Sequence, residues 1–537
     1  MKDKWRENDI LINKILKVNK RINRTKWVFA LVWLIATSYA YAQTSEQGND
    51  FAIKGFHLDL RIQVMKMPAL KEFALRLSKN GINTLVMEWE GTYPFEKHAV
   101  IANKFAYSRA EVQSFITYCD SLKIDVIPLQ QSFGHVEYIL KNYRYRALRE
   151  DQKDYSQVNP MKEALCKALF TDLYTDLIST HKSKYFHIGG DETYLLGKSP
   201  ESKRKADSLG MGRLYGDYIK MLCELVVSLG KKPVVWADIA LKYPDALKSL
   251  PKETVFIDWN YGWELDRFGD HEKLMKSGFE IWGSPALRSS PDNYFLTDWA
   301  KHFNNMAVFI PKGRALGYKG MIMTSWSTSG IYSPIAESHS DIIDLHAIRR
   351  VYPLSGFNLL VDAFFKALAS KQAIAPADFV ANYAADKYGL SASEARHFWN
   401  ALKLAPYEVN QGKVSKQGLT VKQLKDSAWY TLNALRSLKV DKGQKEYAHY
   451  VLMANIRYNY LVCMEVESEL NRQDFDKKQA ATALKQLREL NVSEVNAKFA
   501  RLNSHFLYDM EIAEEARLRN FRHADLITRL QKINNTP

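Results

Sequence analysis

From residue 56 to residue 326 the chain alternates short apolar runs with stretches in which apolar residues recur every third or fourth position. Short runs bounded by turn residues read as buried strands, and the three-and-four recurrence reads as amphipathic helix, so the alternation predicts βα units on a parallel sheet. The strand-like runs are Phe56 to Leu60, Ile82 to Trp89, Ile124 to Leu129, Tyr185 to Ile188, Pro233 to Trp236, Val255 to Trp259, Phe279 to Trp282 and Met321 to Trp326. These are eight, the number that closes a (β/α)8 TIM barrel. Stretches such as LCKALFTDLYTDLI (165–178) and LYGDYIKMLCELVV (214–227) carry the helical pattern between them, and the fifth and sixth runs are so close that one barrel helix is expected to be vestigial.

Polar residues gather where the apolar runs finish: Glu88 and Glu90, Gln130 to His135, Asp191 and Glu192, Asp238, Asp258 to Tyr261, Ser284, then Ser325 and Trp326. In a (β/α)8 barrel the C-terminal rim of the strands is where an active site is built, so these positions predict one mouth. Beyond about residue 345 long helical patterns take over, such as SAWYTLNALRSL (427–438) and AHYVLMANIRYNYLVCMEV (448–466). The expected organisation is a leader over 1–42, a catalytic barrel over 43–345 and an α-helical C-terminal domain over 346–537.

Charge changes this picture only at the N-terminus. The formal net charge is +15, but residues 1 to 42 hold nine Lys or Arg against three acids, which leaves +9 over the rest and no dense basic stripe interleaved with aromatics. Nucleic-acid binding is therefore not expected. The basic start runs into WVFALVWLIA (27–36) and then Ala40-Tyr41-Ala42, the pattern of a signal peptide cleaved before Gln43. An uncleaved N-terminal anchor is the alternative; export, with no membrane association after cleavage, is the expectation. Cys119, Cys166, Cys223 and Cys463 lie far apart without zinc spacing and read as buried free thiols. GMGRLYG (210–216) has neither the spacing nor the preceding strand of a dinucleotide loop, and HExxH, P-loop and GxSxG patterns do not occur. No cofactor or metal is expected.

The stretch YFHIGGDETYLL (185–196) places two carboxylates side by side at the end of the fourth run. Like charges in a partly desolvated site repel, and one of them then holds its proton more tightly, which makes a general acid. The ordinary alternative is that Asp191 caps the following helix and Glu192 is a solvated first-turn residue.

HIGGDE resembles the signature of glycoside hydrolase family 20, the β-N-acetylhexosaminidases. FHLDLR (56–61), MEWEGTYPFE (87–96), VIPLQQSFGHVEYILK (126–141) and HIGGDETYLLG (187–197) extend the similarity over most of the barrel and are most like the hexosaminidase D type, which lacks a preceding α/β domain. The resemblance implies exo-hydrolysis of terminal β-linked N-acetylglucosamine or N-acetylgalactosamine, in which the substrate's own acetamide oxygen attacks the anomeric carbon. It implies Glu192 as acid and base with a raised pKa, Asp191 as the group that holds the acetamide N–H, and His135 as a proton-tuning neighbour of the acid. His187, inside the motif, is expected to support rather than react. Trp236, Trp259, Trp282 and Trp326 stand at run ends; core packing explains any one of them, whereas four at one rim level favour a sugar pocket. Trp236 and Trp326 match the family's fifth- and eighth-strand tryptophans, and Tyr261 is the candidate donor to the acetamide oxygen.

Recognition of the sugar hydroxyls departs from the family pattern. Arg61 is offset by about one residue from the family's first-strand arginine, and Thr328 stands where many relatives carry a glutamate. Glu88 or Glu90 is the candidate replacement, and Asp238 completes the set of site residues. Two other readings stay open: a barrel glycosidase acting on sugars without an acetamide, with Glu88 or Asp238 as protein nucleophile, and a glycan-binding barrel without turnover. Oligomeric state is not legible.

Overall fold

A computed structural model describes residues 50–289, 297–327, 351–404, 409–410, 413–414 and 419–535; the leader over 1–42 and Thr328 lie outside them. Eight parallel strands close into a barrel: β1 Ile53–Asp59, β2 Thr84–Glu88, β3 Asp125–Leu129, β4 Tyr185–His187, β5 Lys232–Trp236, β6 Val255–Trp259, β7 Glu280–Ser284 and, after a short extra strand β8 Ala286–Arg288, β9 Gly320–Ser325. The ring shuts where β1 pairs with β9 through Ile53↔Gly320 to Phe56↔Met323. All eight runs expected from the sequence are barrel strands. β8 is an addition, pairing with β9 through Ala286↔Thr324.

The period of two along each strand separates two cores. Phe56, Leu58, Leu85, Met87, Val126, Phe186, Val235, Phe256, Ile281, Met321 and Met323 face the surrounding helices. Val86, Ile127, Leu129, Tyr185, Val234, Trp236, Val255, Ile257, Trp259, Trp282 and Ile322 fill the barrel. The last inward residue of each strand therefore faces the mouth, and these residues are mostly polar or aromatic: Glu88, His187, Trp236, Trp259 and Ser284.

This layering corrects one expectation. The seventh strand runs two residues past Trp282, to Ser284, so Trp282 lies one layer below the rim. Its ring packs edge-on against Tyr185, the first residue of β4, at 5.0 Å, and its Nε1–H donates to Glu280 Oε1 at 2.7 Å. Gly320 has no side chain because Trp282 occupies that space: a Cβ there would stand 2.8 Å from Trp282 Cγ. Trp282 is a plug of the barrel floor and does not line a sugar pocket.

The connection between β5 and β6 is the short helix Asp238–Lys242 and the 3-10 turn Pro244–Ser249, the vestigial barrel helix that the spacing calls for. The described residues from Phe51 onward form one compact unit. The C-terminal region is helical, from Asn358–Ala369 to Asp509–Asn535, and shares its core with the barrel through Trp299, whose ring lies 5.8 Å from Phe357 and 5.6 Å from Tyr450. Cys119, Cys166, Cys223 and Cys463 are free and buried.

Candidate active site

The turn after β4 explains how the acids reach the mouth. Gly189 and Gly190 both take positive φ, +75° and +97°, and a Cβ on Gly189 would sit 1.9 Å from Gln131 Oε1. Only glycine gives the chain this bend at so close an approach. The following helix begins at Pro200 with Ser199 as its N-cap, so Asp191 is no helix cap. On the neighbouring loop, a Cβ on Gly134 would meet the Asp191 carbonyl oxygen at 2.6 Å. That contact delivers His135: its Nε2 lies 3.4 Å from Asp191 Oδ2 and 3.3 Å from Glu192 Oε2.

Backbone strain concentrates here. The described non-glycine residues with positive φ are Gln63, Glu90, Lys123, His135 and Glu192, and of these only Lys123 lies away from the β-strand C-terminal ends. Such conformations persist when their surroundings over-determine them, which is common at functional sites.

The electrostatics couple the three groups. Burial works against charge on His135, yet the Asp191 and Glu192 carboxylates hold its imidazole well above the ordinary range, so it is an imidazolium at neutral pH. Burial works to raise Glu192, but the hydrogen bond and charge of His135 and the Tyr194 hydroxyl, 2.8 Å from Oε1, bring it below the ordinary carboxylate range. The shift at Glu192 is thus opposite in direction to the raised value the resemblance implies, because the charge of His135 favours the carboxylate. Asp191 is 6% exposed, and its Oδ1 is buried without a hydrogen-bond partner in the protein.

Asp238 accepts the Glu192 backbone N–H through Oδ2 at 3.2 Å and Trp259 Nε1–H through Oδ1 at 3.2 Å. Burial and the adjacent Asp191 charge push it to about 7. Both oxygens are thereby engaged in holding other groups in place.

Aromatic rings cluster at the strand ends beside the acids. Trp236 packs against His187 at 4.5 Å and Trp326 at 5.8 Å, and Trp259 against Tyr261 at 5.1 Å. Trp326 Nε1–H donates to the Tyr261 hydroxyl at 2.7 Å, and Trp236 Nε1 is buried without a protein partner. His187 accepts Gly189 N–H on Nδ1 at 3.0 Å, and burial lowers its pKa well below the ordinary value, as suits a neutral supporting residue.

Opposite, Arg61 grips Asp59 with Nε at 2.9 Å and Nη2 at 3.0 Å, lies 3.6 Å from Glu90 Oε1, and faces the Trp326 ring at 5.4 Å. Burial opposes it, but Arg61 draws Asp59 down to about 2. Glu88 is fully buried between His57 Nε2 at 2.9 Å and Gln131 Nε2 at 3.1 Å. It supports the wall and offers no free carboxylate edge to a sugar; of the two strand-two acids, Glu90 stands nearer the guanidinium.

Sequence reasoning missed His57, Asp59 and Tyr194. In FHLDLR the polar residues His57, Asp59 and Arg61 recur with period two in an otherwise apolar strand, and that alternation is the readable sign that they share the inward face. Among the described residues, His135, Asp191 and Glu192 are the cluster whose donor atoms, all within 4.8 Å of one another, could hold a metal ion. An imidazolium between two carboxylates offsets one of their two charges from within the protein.

Residues 57–328 match the family described as glycosyl hydrolase family 20, catalytic domain. The chain is 28% identical over 298 residues to hexosaminidase D of Bos taurus, which covers 52% of this chain and 86% of that protein. It is 27% identical over 304 residues to hexosaminidase D of Homo sapiens, 53% of this chain and 62% of that one. Among solved structures, the β-N-acetylhexosaminidase from Bacteroides fragilis NCTC 9343 superposes with a TM-score of 0.45 at 19% identity, over 60% of this chain and 66% of that one.

Proposed function

The chain belongs to glycosyl hydrolase family 20, and on that premise we propose that it is an exo-acting β-N-acetylhexosaminidase that removes terminal β-linked N-acetylglucosamine or N-acetylgalactosamine by substrate-assisted, retaining hydrolysis. The observation that carries the reading is Asp191 Oδ1, a buried carboxylate oxygen with no partner in the protein, at the strand ends that also carry the indoles of Trp236, Trp259 and Trp326. A buried acceptor is costly to leave unmatched, and an acetamide N–H matches it while its methyl group meets the indoles.

In this reading the acetamide carbonyl oxygen attacks the anomeric carbon and an oxazolinium ion forms as the glycosidic bond breaks. Glu192 gives a proton to the departing oxygen. His135 and Glu192 keep one proton between them, so desolvation of Glu192 by the bound glycan draws that proton from Nε2 to the carboxyl 3.3 Å away. Asp191 holds the amide N–H and offsets the positive charge, and Tyr261 serves the acetamide oxygen. Glu192 then takes a proton from the attacking water, and the sugar leaves with its configuration retained. A protein nucleophile is less well supported, because Glu88 is fully buried between His57 and Gln131 and burial favours the protonated form of Asp238, pushed up to about 7. The basic leader and apolar run before Gln43 support export of the mature chain.

The test is hydrolysis of chromogenic β-N-acetylglucosaminide, β-N-acetylgalactosaminide and plain β-glucoside, with and without an acetamide-mimicking thiazoline. Cleavage of the N-acetylated substrates alone, blocked by the thiazoline, is expected. Turnover of the plain glucoside would point to a protein nucleophile, and binding without cleavage to a non-catalytic barrel.

A further inference from the structure

We propose that Gln63 and Glu515 are positioning residues, a clamp by which the C-terminal helical region sets the loop that carries Arg61; this rests on the functional reading above and takes Arg61, which resembles the family's first-strand arginine and lies over the Trp326 ring, as a ligand of the sugar hydroxyls. The loop between β1 and the helix Met67–Lys79 has no regular structure of its own from Leu60 to Val64. Gln63, in its middle, is buried and holds φ at +63°. A glutamine in that region is strained, and strain of about 1 kcal/mol or more persists only where contacts enforce it.

Two contacts do. Gln63 Nε2 donates to the Val351 carbonyl at 2.7 Å and to Glu515 Oε1 at 3.2 Å. Both partners are acceptors, so the amide orientation is fixed. Glu515 lies in the helix Asp509–Asn535 and is 2% exposed. One helical turn on, the half-buried Arg519 interacts favourably with the Glu515 charge, donates to Asn496 at 2.9 Å and covers the Phe499 ring at 4.4 Å, which anchors that end of the clamp in the helix Val492–Asn503.

The rest of the loop is tied to the same region. Lys66 N–H donates to the Phe506 carbonyl at 2.8 Å, and Met65 bridges to Leu507. The segment that receives Gln63 also reaches the other flank of the mouth: the Tyr352 carbonyl, next to Val351, accepts Arg288 Nη1 at 2.5 Å, and Arg288 Nε donates to Ser325 Oγ at the end of β9. Asp59, which grips Arg61, also accepts the Ser327 N–H at 2.9 Å. Two adjacent carbonyls thus brace both sides of the Asp59–Arg61 pair. Neither Gln63 nor Glu515 touches the acids, so the clamp acts on where the guanidinium stands and leaves the proton chemistry alone.

The experiment compares Gln63→Asn, Glu515→Ala and Glu515→Gln with the unmodified chain. Asn tolerates positive φ but is one methylene too short for Val351 and Glu515, so it separates the tether from backbone strain. Glu515→Gln keeps an acceptor oxygen for Gln63 and is the rescue variant. Because a hydroxyl contact acts on ground and transition states alike, Gln63→Asn and Glu515→Ala are expected to raise KM about tenfold with kcat within about threefold and an unshifted pH profile, while Glu515→Gln stays near the starting KM. Amide hydrogen exchange over residues 60–66 is expected to quicken about tenfold or more in the two broken variants and not in Glu515→Gln. An unchanged KM, or a fall in kcat that tracks a general loss of thermal stability, overturns the clamp. If the unmodified chain cleaves no N-acetylhexosaminide, the functional reading fails, and the exchange data alone decide whether the loop is held as proposed: unchanged protection over 60–66 overturns it.

Discussion

Asp238 Oδ2 accepts the backbone N–H of Glu192 at 3.2 Å while its Oδ1 accepts the indole N–H of Trp259. One carboxyl group therefore fixes the strained residue that carries the acid, at φ +47°, against one ring of the aromatic cluster. The cluster and the proton donor are built as one unit, and a displaced Trp259 is transmitted to Glu192 through two hydrogen bonds.

Asp238→Asn turns one acceptor into a donor and leaves either Glu192 N–H or Trp259 Nε1–H facing an amide N–H. Misplacement of a catalytic group by about 1 Å can cost about a hundredfold, so kcat is expected to fall by up to about 10² with a smaller change in KM. The same substitution removes a pH term from stability. Asp238 holds its proton to about 7 in the fold against an ordinary value of 3.8, so the fold binds a proton that the unfolded chain releases, and stability falls as pH rises between those values. The melting temperature of the unmodified protein, measured against that of the variant, should be higher at pH 5 than at pH 8.

His135→Asn keeps a residue that accepts positive φ while removing the charge between Asp191 and Glu192. The shared proton is lost at the raised pKa of His135, above 6.5. Without the imidazole, Glu192 must hold the proton alone, and the alkaline limb of kcat/KM should move to lower pH. Stability carries the matching sign: a raised histidine contributes fully below its ordinary 6.5 and loses that contribution as pH climbs through the raised value. The thermal penalty of His135→Asn should be larger at pH 6 than at pH 9.

The barrel was legible because its strands are separate apolar runs, and the acids were legible because HIGGDE is a local string. What was not legible depends on contacts distant in sequence. His135 meets Glu192 only because Gly134 lets two loops touch, and Gln63 meets Glu515 across 452 residues. Glu88 read as a sugar ligand because it ends a strand; its burial follows from His57 and Gln131 on the flanking strand and loop. Trp282 was misplaced for a smaller reason, a strand end set two residues early, which in a pattern of period two moves a side chain by one whole layer.

Tyr261→Phe removes the hydroxyl that accepts Trp326 Nε1–H at 2.7 Å. If that hydroxyl meets the acetamide oxygen as it becomes the nucleophile, its loss acts on the transition state, and kcat should drop by about 10² to 10³ with N-acetylated substrates. Trp326→Phe leaves the hydroxyl but frees it from its partner, so a loss of about tenfold, seen mainly in KM, is expected. Steady-state kinetics on both variants distinguish the two roles; equal losses in each would mean that the pair acts only as packing.

Trp282→Leu tests the floor of the barrel. As a plug packed on Tyr185 and bonded to Glu280, Trp282 should lower stability clearly when replaced by Leu, by less than the about 3–5 kcal/mol of a full truncation to Ala, with KM unchanged, whereas a pocket residue would raise KM and spare stability. Its neighbour Gly320 makes the assignment sharper. A Cβ at 320 meets Trp282 Cγ at 2.8 Å and Ile53 Cβ at 2.9 Å, so Gly320→Ala alone should destabilise by about 1–3 kcal/mol through overpacking. With Leu at 282 part of that space is open, and the added methyl fills cavity instead of colliding. The double variant should therefore be less destabilised than the sum of the singles, by about 0.5 kcal/mol or more. Strict additivity in urea denaturation would place the indole away from Gly320, and with it the layer assigned to Trp282.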